Sequence, residues 1–458
     1  MKRIAAALAL TLFAGTAHAW EAETTQAGLA EQAALSSKLH KRLVTLGFDG
    51  GLFEPLTVPP ADAPTLIETL KLLSPTHGAV PDARGRQTAL SWIAAGASIA
   101  DVPAKLAANH FYDPLTKRGW QRPDRGVLAG LSDSIRESVG RASVPAKGMP
   151  AIDWITAKDN PFNVDGFIDQ YVKAVSAATP GERSRHMAGA LVAAGAILHV
   201  LGDLGAPSRV RGDSAAHFEP LGGGPDDLGS RFERVAALAF GRLGIPTPSR
   251  VITRAHLRDY FSDAEGTGLA DVISTSYFSP NTLPATTRVG TNTHPRLARP
   301  LPALPSKLNL MAATRDDGTT LRGPDGTCLA RYRVEHGVVS FHLDDDCMLE
   351  EVTAILPEVS AYETGLLDFL FRGELTLTAG NEIVVAAKGL GAGTVEIFVE
   401  DQQGVRKSLG KTQVAGGSDQ LARMATPDSG ARIIALFQGT DAQGEPIVAV
   451  GAVALTNR

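Results

Sequence analysis

Four polar side chains lie in or beside the most apolar helical segments of this sequence, and their types match the ligands that zinc prefers. His199 and Asp203 interrupt the run LHVLGDLGAP four residues apart, a spacing that places both side chains on one face of a helix. Asp101 and His110 bound the segment DVPAKLAANH. Two imidazoles and two carboxylates are a set well suited to zinc. A second interpretation stays open, in which His199 is a core histidine paired with a nearby acid.

The first residues predict export, and export would create a further metal donor. Two basic residues precede an apolar run over residues 4–13, and the small-x-small pattern AHA follows at 17–19. This arrangement is typical of a secretory signal peptide, and the run is too short for a membrane anchor. We therefore expect removal of residues 1–19 and a secreted or periplasmic protein. The free α-amino group of Trp20 could then bind a metal, or its indole could serve as a buried anchor.

Composition and cysteine content agree with an exported globular protein. The chain has 458 residues, of which 44% are hydrophobic and 20% are charged, and its formal net charge of -5 predicts no general nucleic-acid surface. Cys328 and Cys347 are expected to pair with each other in an oxidising compartment, the alternative being two free buried thiols. The segment between them alternates like two strands around His336-Gly337, which predicts a hairpin.

Hydrophobic periodicity predicts a mainly helical region before residue 373. The nearly apolar run HMAGALVAAGAILHVLGD should form a central helix. We expect a long loop over 279–308 and, together with the hairpin, an insertion of about 282–347. Pro357 should kink the last helix or mark its first turns. The predicted helices are 25–47, 63–73, 84–100, 162–177, 183–202, 229–243 and 349–371.

Residues 373–458 have a different character. Short alternating runs separated by Gly, Asn and Asp predict an all-β sandwich of about seven strands. This part carries no constellation of catalytic residues, so a stabilising or spacer role is the favoured interpretation. An adhesive or substrate-binding module is the alternative. The predicted fold class is therefore a helical domain over 20–372, with a β-hairpin insertion, followed by a small β-sandwich domain.

Taken together, the mature N-terminal tryptophan, the segment from Asp101 to HFYDP, and LHVLGDLGAP followed by SRFE resemble the zinc-dependent phospholipase C family. The fungal zinc single-strand nucleases share the fold of that family. The resemblance covers about 20–372 apart from the insertion, and it leaves out the β domain. It implies an all-helical domain that holds three zinc ions in a cleft, where an activated water attacks a phosphodiester.

The resemblance also implies roles for individual residues. Asp101, His110, His199 and Asp203 would bind the most buried zinc. Asp203 would bridge to a second zinc held by the amino and carbonyl groups of Trp20, Glu233 would bind a third, and Asp101 is a candidate base.

Three positions depart from the family pattern, because Gln26, Arg209 and Gly229 stand where the family has histidines. We therefore expect fewer than three zinc ions. Arg209 could supply the charge of a lost zinc by clamping phosphate oxygens, which makes it a candidate catalytic residue, and Arg211 could help. His217 is either a replacement ligand or a solvated loop residue, and Asp213 is expected to be a surface acid.

The leading functional hypothesis is an exported zinc-dependent phosphoesterase, with phospholipid phosphodiesters as substrates and possible peripheral membrane contact. The first alternative is a non-catalytic zinc-containing protein that binds lipids or phosphate groups. The second is a single-strand nuclease, although no stable nucleic-acid partner is expected. The sequence leaves the oligomeric state open.

Overall fold

The computed structural model describes residues 22–57, 85–123, 145–221, 228–284, 287–288 and 319–455. A helical domain is followed by a β domain, as the sequence predicts. The expected signal peptide, Trp20 and the predicted helix 63–73 lie outside the described residues. The α-helices in the described residues are α1 (Ala27–Ser36), α2 (Leu39–Thr45), α3 (Ala89–Ile99), α4 (Ala151–Trp154), α5 (Val164–Ser176), α6 (Pro180–Gly202), α7 (Pro207–Val210), α8 (Arg231–Leu243), α9 (Leu269–Ser276) and α10 (Asp345–Leu370).

Helix α6 is the central helix of the domain, and Asp203 is its C-cap. It begins at Pro180 rather than Arg183, because the Thr179 side chain and Glu182 form a capping box around its first turn. By length and composition the helix could cross a bilayer. However, 94% of its most apolar window is buried inside the protein. A buried helix that is apolar on all sides is typical of a protein core.

Helices α3 and α6 cross at very close range, and glycine makes this approach possible. A Cβ at Gly96 would lie 2.0 Å from the Val192 carbonyl oxygen, and a Cβ at Gly195 would lie 2.0 Å from that of Ile93. Each glycine therefore lies against the backbone of the opposite helix, where a methyl group has no room. The crossing fixes the position of His199, which lies one turn beyond Gly195.

The substitution Gly195→Ala should consequently destabilise the protein by about 3 kcal/mol, because two packed backbones would have to separate. Denaturant unfolding measures this loss. Gly189→Ala in the same helix is the matched control, since its Cβ would meet only the end of the flexible Gln170 side chain, at 2.9 Å. The control should change stability by less than about 1 kcal/mol. If the two variants were equally stable, the close contact between α3 and α6 at Gly195 would be contradicted.

Other helix boundaries differ from the prediction for local reasons. The predicted helix 25–47 begins with a π-helical turn, Ala22–Gln26, and is then interrupted where Ser37 is extended and its hydroxyl donates to the Ala34 carbonyl. Helix α3 begins at Ala89, because the Thr88 side chain caps it and the preceding residues form a strand. Pro357 lies inside α10, so it does not mark the first turns of that helix.

The strands of the helical region form small antiparallel sheets. Beyond the two-stranded sheets β1-β2 and β3-β4, the insertion builds a four-stranded sheet in the order β5-β8-β7-β6, with the predicted turn at His336-Gly337. Residues 287–288 therefore belong to a strand rather than to a continuous loop. The strands up to this point are β1 (Pro55–Thr57), β2 (Arg86–Thr88), β3 (Glu219–Pro220), β4 (Leu228–Gly229), β5 (Thr287–Arg288), β6 (Thr319–Arg322), β7 (Cys328–Glu335) and β8 (Val338–His342).

The predicted disulfide is present. Cys328 at the start of β7 is bonded to Cys347 in the first turn of α10, so the bond fastens the inserted sheet to the last helix of the domain. Disulfides form and persist in oxidising surroundings, which indicates an extracytoplasmic environment for this protein.

The β domain contains two packed sheets, in the orders β13-β10-β9 and β12-β11-β14-β15. The four-stranded sheet also contributes Phe398, Ile434 and Leu436 to the main hydrophobic core, so the sandwich packs directly on the helices. The buried guanidinium of Arg406 pairs with Glu400 and donates to carbonyl groups of the helical domain. The strands are β9 (Thr376–Ala379), β10 (Glu382–Ala386), β11 (Leu390–Glu400), β12 (Arg406–Val414), β13 (Gln420–Ala425), β14 (Arg432–Asp441) and β15 (Pro446–Ala454).

Candidate metal centre

Asp203 is the centre of a fully buried polar cluster at the end of α6. Its Oδ2 atom lies 2.8 Å from Nδ1 of His110, 3.2 Å from Nε2 of His199 and 3.2 Å from Nη1 of Arg209. Its Oδ1 atom accepts a hydrogen bond of 2.6 Å from the amide of Gln26. The carboxylate therefore has two distinct sides, one facing the imidazoles and the other facing Gln26.

The orientation of His199 is fixed by the α3–α6 crossing. Its Nδ1 lies 2.6 Å from the carbonyl oxygen of Ala97, and because a carbonyl only accepts, Nδ1 must carry the proton. In the neutral ring, Nε2 then presents a lone pair towards Asp203. That contact is close but makes no hydrogen bond. Two acceptor atoms this close require either a proton or a cation between them.

The chemistry of these donors fits a metal ion. One ligand atom each from His110, His199 and Asp203 lies within 4.8 Å of the others, and all three residues are buried. Two donors on a tetrahedral zinc with bonds of roughly 2.0–2.1 Å lie roughly 3.3 Å apart, close to the separation of His199 and Asp203. The carbonyl behind His199 is the kind of partner that orients metal-binding imidazoles. Nε2 of His110 is also buried and accepts no hydrogen bond from the described residues.

Asp101 belongs to the same neighbourhood. It is the second residue after α3, is fully buried, and its charge acts on both imidazoles. It is not one of the three residues whose ligand atoms lie within 4.8 Å of one another. The structure thus brings Asp101, His110, His199 and Asp203 into one buried region, with Asp101 at its edge.

The charges of the cluster shift the pKa values of its members. Burial by itself raises the pKa of Asp203, but the Arg209 guanidinium and the two imidazoles hold that pKa well below its usual value. Burial lowers the pKa of His199, yet the Asp203 and Asp101 carboxylates outweigh it and raise the pKa. The pKa of His110 is lowered, because burial outweighs its hydrogen bond to Asp203. Of the two imidazoles, His199 is therefore the one that retains a proton more readily when no cation is bound.

Arg209 lies inside the cluster rather than on an open surface. It is fully buried, its guanidinium stacks 4.5 Å from the centre of the Phe111 ring, and Nη2 lies 3.7 Å from Oε1 of Glu233. The guanidinium thus extends from Asp203 towards Glu233 and places a fixed positive charge between two carboxyl groups. Burial raises the pKa of Glu233 well above its usual value, and the nearby Asp203 and Asp101 charges add to this, although Arg209 opposes them.

His217 lies on the far side of Glu233. Its Nδ1 is 3.3 Å from Oε1 of Glu233, and its Nε2 is 3.1 Å from the Ser208 hydroxyl. The interpretation of His217 as a solvated loop residue is wrong, because the side chain is buried. Burial, together with the Arg209 charge, lowers its pKa well below the usual value. His217 is placed to act as a neutral donor beside Glu233.

Two other expectations for this loop need correction. Asp213 is buried rather than a surface acid, and it accepts hydrogen bonds from the backbone and side chain of Asn281. Arg211 is also buried, where it donates to Thr282 and Ser274 and lies over the Phe278 ring. Both side chains therefore fasten the 279–282 turn to the loop after α7.

Sequence patterns missed one residue of this region. Glu363, in the C-terminal half of α10, is fully buried, and its charge interacts with that of Asp203. A glutamate inside an apolar helical stretch was the available signal. Its proximity to Asp203 could not be predicted, because about 160 positions separate the two residues in the sequence. Gly229, which stands where the family has a histidine, is buried in β4. Trp20 lies outside the described residues.

A cavity of about 180 Å³ leads towards the cluster. Arg209 and Phe111 lie on its wall together with Trp120, while Arg118 and Ser214 contribute polar groups. The cavity is smaller than the roughly 300–1,000 Å³ of pockets that enclose a whole drug-sized ligand.

Comparisons with known proteins leave the family open. No protein-family model matches the chain, and no curated protein matches it. Among solved structures, "Alpha Toxin from Clostridium Absonum" is similar, with 13% sequence identity and a TM-score of 0.31. The alignment covers 96% of this chain and 93% of that chain.

Proposed function

We propose that this protein is an exported zinc-dependent phosphoesterase that hydrolyses phosphodiester bonds of phospholipids. The observation that carries the proposal is the approach of His199 Nε2 to Asp203 Oδ2 at 3.2 Å, with the His199 tautomer fixed by Ala97. His110, His199 and Asp203 would hold one zinc, and Asp101 is the proposed fourth ligand. When bound, zinc supplies a Lewis acid that polarises a phosphoryl oxygen and lowers the pKa of a coordinated water.

The charge of the site supports a bound cation. Asp101, Asp203 and Glu233 bring three buried carboxyl groups together, while Arg209 contributes one fixed positive charge among the described residues. Buried charges of one sign are costly unless they are neutralised by pairing, protonation or a metal. A divalent ion would offset the negative charge of the Asp203 neighbourhood, while burial favours a proton on Glu233 by raising its pKa.

Arg209 is the proposed electrostatic partner of the substrate phosphate. Arg209 is one of the residues that line the cavity, and its buried guanidinium is held by Asp203 and Phe111, so it would provide a preorganised positive charge beside phosphate oxygens. Asp101 is the proposed base for the attacking water. The size of the cavity suits a phosphate-bearing headgroup, with the acyl chains left outside.

A second candidate function is favoured by a specific observation. Because all four proposed ligands and Arg209 are fully buried, the zinc could instead hold the helices together while the protein binds phosphate groups without hydrolysis. Structural zinc sites have all positions filled by protein, whereas catalytic sites keep one position open. Turnover therefore distinguishes the two candidates.

The test uses the mature protein beginning at Trp20, loaded with zinc. We expect release of phosphorylated headgroups from phosphatidylcholine vesicles, loss of this release with a chelator, and recovery when zinc is restored. Single-stranded DNA serves as the parallel substrate, and its cleavage alone would favour a nuclease. Stoichiometric zinc without turnover of either substrate would favour the non-catalytic candidate and refute the enzyme.

A further inference from the structure

We propose that a basic and apolar surface beside the cavity binds membranes that carry anionic lipids. The surface, called the basic rim below, consists of Leu115, Lys117, Arg118, Lys147 and Met149. Arg118 also lines the cavity. The inference rests on the proposed function only where a lipid headgroup enters the cavity, because binding to a membrane requires no turnover.

Two chain segments that are far apart in sequence form the basic rim. Gln121 and Lys147 are paired in an antiparallel bridge. A Cβ at Gly119 would lie 2.8 Å from the Met149 carbonyl oxygen, so the backbones of the two segments are in direct contact. The turn at 115–118 immediately precedes this contact. The side chains of the basic rim therefore belong to one continuous surface.

The exposed charged side chains of these segments are all basic. In the described stretches 102–123 and 145–150 they are Lys105, Lys117, Arg118, Arg122 and Lys147. Asp113 is the one acid in these stretches, and it is buried, where it accepts hydrogen bonds from the Leu115 amide and the Thr116 hydroxyl. The whole chain has a formal net charge of -5, so this concentration of positive charge is local. A local basic surface on an acidic protein indicates an anionic partner.

Two apolar side chains lie among these cations. Leu115 is 55% exposed and Met149 is 40% exposed. Apolar side chains flanked by Lys and Arg suit a membrane interface, because the apolar groups enter the acyl boundary while the cations remain at the level of the headgroups. The apolar residues of the basic rim would thus hold the cavity against the bilayer, where a headgroup can enter it.

The same surface is less suited to nucleic acid, the other anionic polymer to consider. Proteins that bind single strands stack the bases on accessible aromatic rings. The aromatic residues of this region, Phe111, Tyr112 and Trp120, are all buried. Trp120 also donates its indole N–H to the Pro145 carbonyl, which fixes the ring beneath the surface. Leucine and methionine therefore stand where a nucleic-acid site needs rings.

The experiment measures cosedimentation of the zinc-loaded mature protein with lipid vesicles. Vesicles of phosphatidylcholine alone are compared with vesicles that contain about one third phosphatidylglycerol, on whose surface each lysine contributes about a fivefold gain in affinity. We expect the wild type to bind the anionic vesicles at least about tenfold more tightly. The preference should disappear at about 1 M salt, where exposed charges are screened.

The double variant Lys117→Glu/Lys147→Glu tests the basic part of the rim. It should weaken binding to the anionic vesicles by about 30-fold or more, because two cations are lost and two acids replace them. Lys388→Glu/Lys407→Glu is the matched control, since it makes the same change in net charge at two exposed lysines of the β domain. This control should bind the vesicles nearly as the wild type does.

Leu115→Ala tests the apolar part of the rim. It should weaken binding to the anionic vesicles by about tenfold, because fewer carbon atoms enter the bilayer. Leu238→Ala is its control, since Leu238 on α8 is 68% exposed but lies outside the basic rim. Unchanged binding by Leu115→Ala, or equal weakening in the two leucine variants, would contradict the proposed apolar contact.

The outcomes separate this inference from the proposed function. Equal affinity of the wild type for both kinds of vesicle overturns the inference, even where zinc-dependent headgroup release is observed. Selective binding to anionic vesicles by a protein that releases no headgroup supports the inference and refutes only the enzyme. Equal weakening in the two lysine double variants would show that net charge rather than the basic rim determines binding. Binding of single-stranded DNA in place of vesicles would assign the surface to nucleic acid and overturn the inference.

Discussion

Replacement of His199 by alanine is expected to weaken zinc binding by about 100-fold or more and to abolish phosphodiesterase activity. The imidazole is the best oriented donor of the centre, because Ala97 fixes its tautomer and Nε2 lies 3.2 Å from Asp203 Oδ2. Zinc at 100 times its dissociation constant should stabilise the wild type by about 2.7 kcal/mol. That stabilisation should disappear in His199→Ala, which thermal unfolding with and without zinc would measure.

His186→Ala provides the matched control for this prediction. His186 lies on the same helix, is only partly buried, and contacts Gln170 and Arg185 rather than the Asp203 cluster. The control should keep both the zinc-dependent stabilisation and the activity. A His199→Ala variant that is stabilised by zinc as strongly as the wild type would show that His199 is an ordinary core histidine.

The second large effect is expected from Arg209→Met, which should destabilise the protein by about 3–5 kcal/mol. The substitution keeps an apolar side chain against Phe111 but removes the guanidinium beside Asp203 and Glu233. Two buried carboxyl groups then lose their shared positive partner. Zinc-loaded Arg209→Met should also lose phosphodiesterase activity, because the fixed positive charge beside the proposed phosphate position is gone.

The destabilisation should depend on pH in a defined direction. Arg209 lowers the pKa of Asp203 in the folded state, so the stabilisation from this pair is present above the unfolded pKa of about 3.9 and is lost as the pH falls. The difference in unfolding free energy between wild type and Arg209→Met should therefore shrink on acidification. Denaturant unfolding at pH 7 and at about pH 2, well below the unfolded pKa of about 3.9, measures it.

Arg118→Met is the control for Arg209→Met. Arg118 lines the same cavity but is exposed, so its loss should change stability by less than about 0.5 kcal/mol. If Arg209→Met proved as stable as the wild type at both pH values, the ion pair between Arg209 and Asp203 would contribute nothing to the free energy of unfolding. Full activity of the zinc-loaded variant would remove Arg209 from the proposed mechanism.

Local sequence patterns predicted much of this architecture because the relevant signals are short-range. The apolar run before Asp203 identified the central helix, and the i, i+4 spacing placed His199 and Asp203 on one face. The alternating segments after residue 373 identified the β domain, and the exported context suggested the Cys328–Cys347 disulfide. Helix starts were less accurate, since capping by Thr88 and Thr179 depends on side-chain geometry.

These patterns could not predict features that depend on contacts between segments far apart in the sequence. Whether Arg209 faces solvent or a carboxylate is decided by α8, which brings Glu233 next to it. The burial of His217 follows from the same packing. Glu363 acquires its significance only because α10 lies against Gly202. The hydrophobic pattern of one segment does not predict which distant segment it will contact.

Anomalous X-ray scattering at the zinc absorption edge, from crystals of the zinc-loaded mature protein, tests directly whether the Asp203 cluster binds zinc. We expect a peak within roughly 2.0–2.2 Å of Asp203 Oδ2, of His199 Nε2 and of one nitrogen of His110. A map with no peak at Asp203, or with zinc bound only at surface histidines such as His186, would contradict the proposed metal centre.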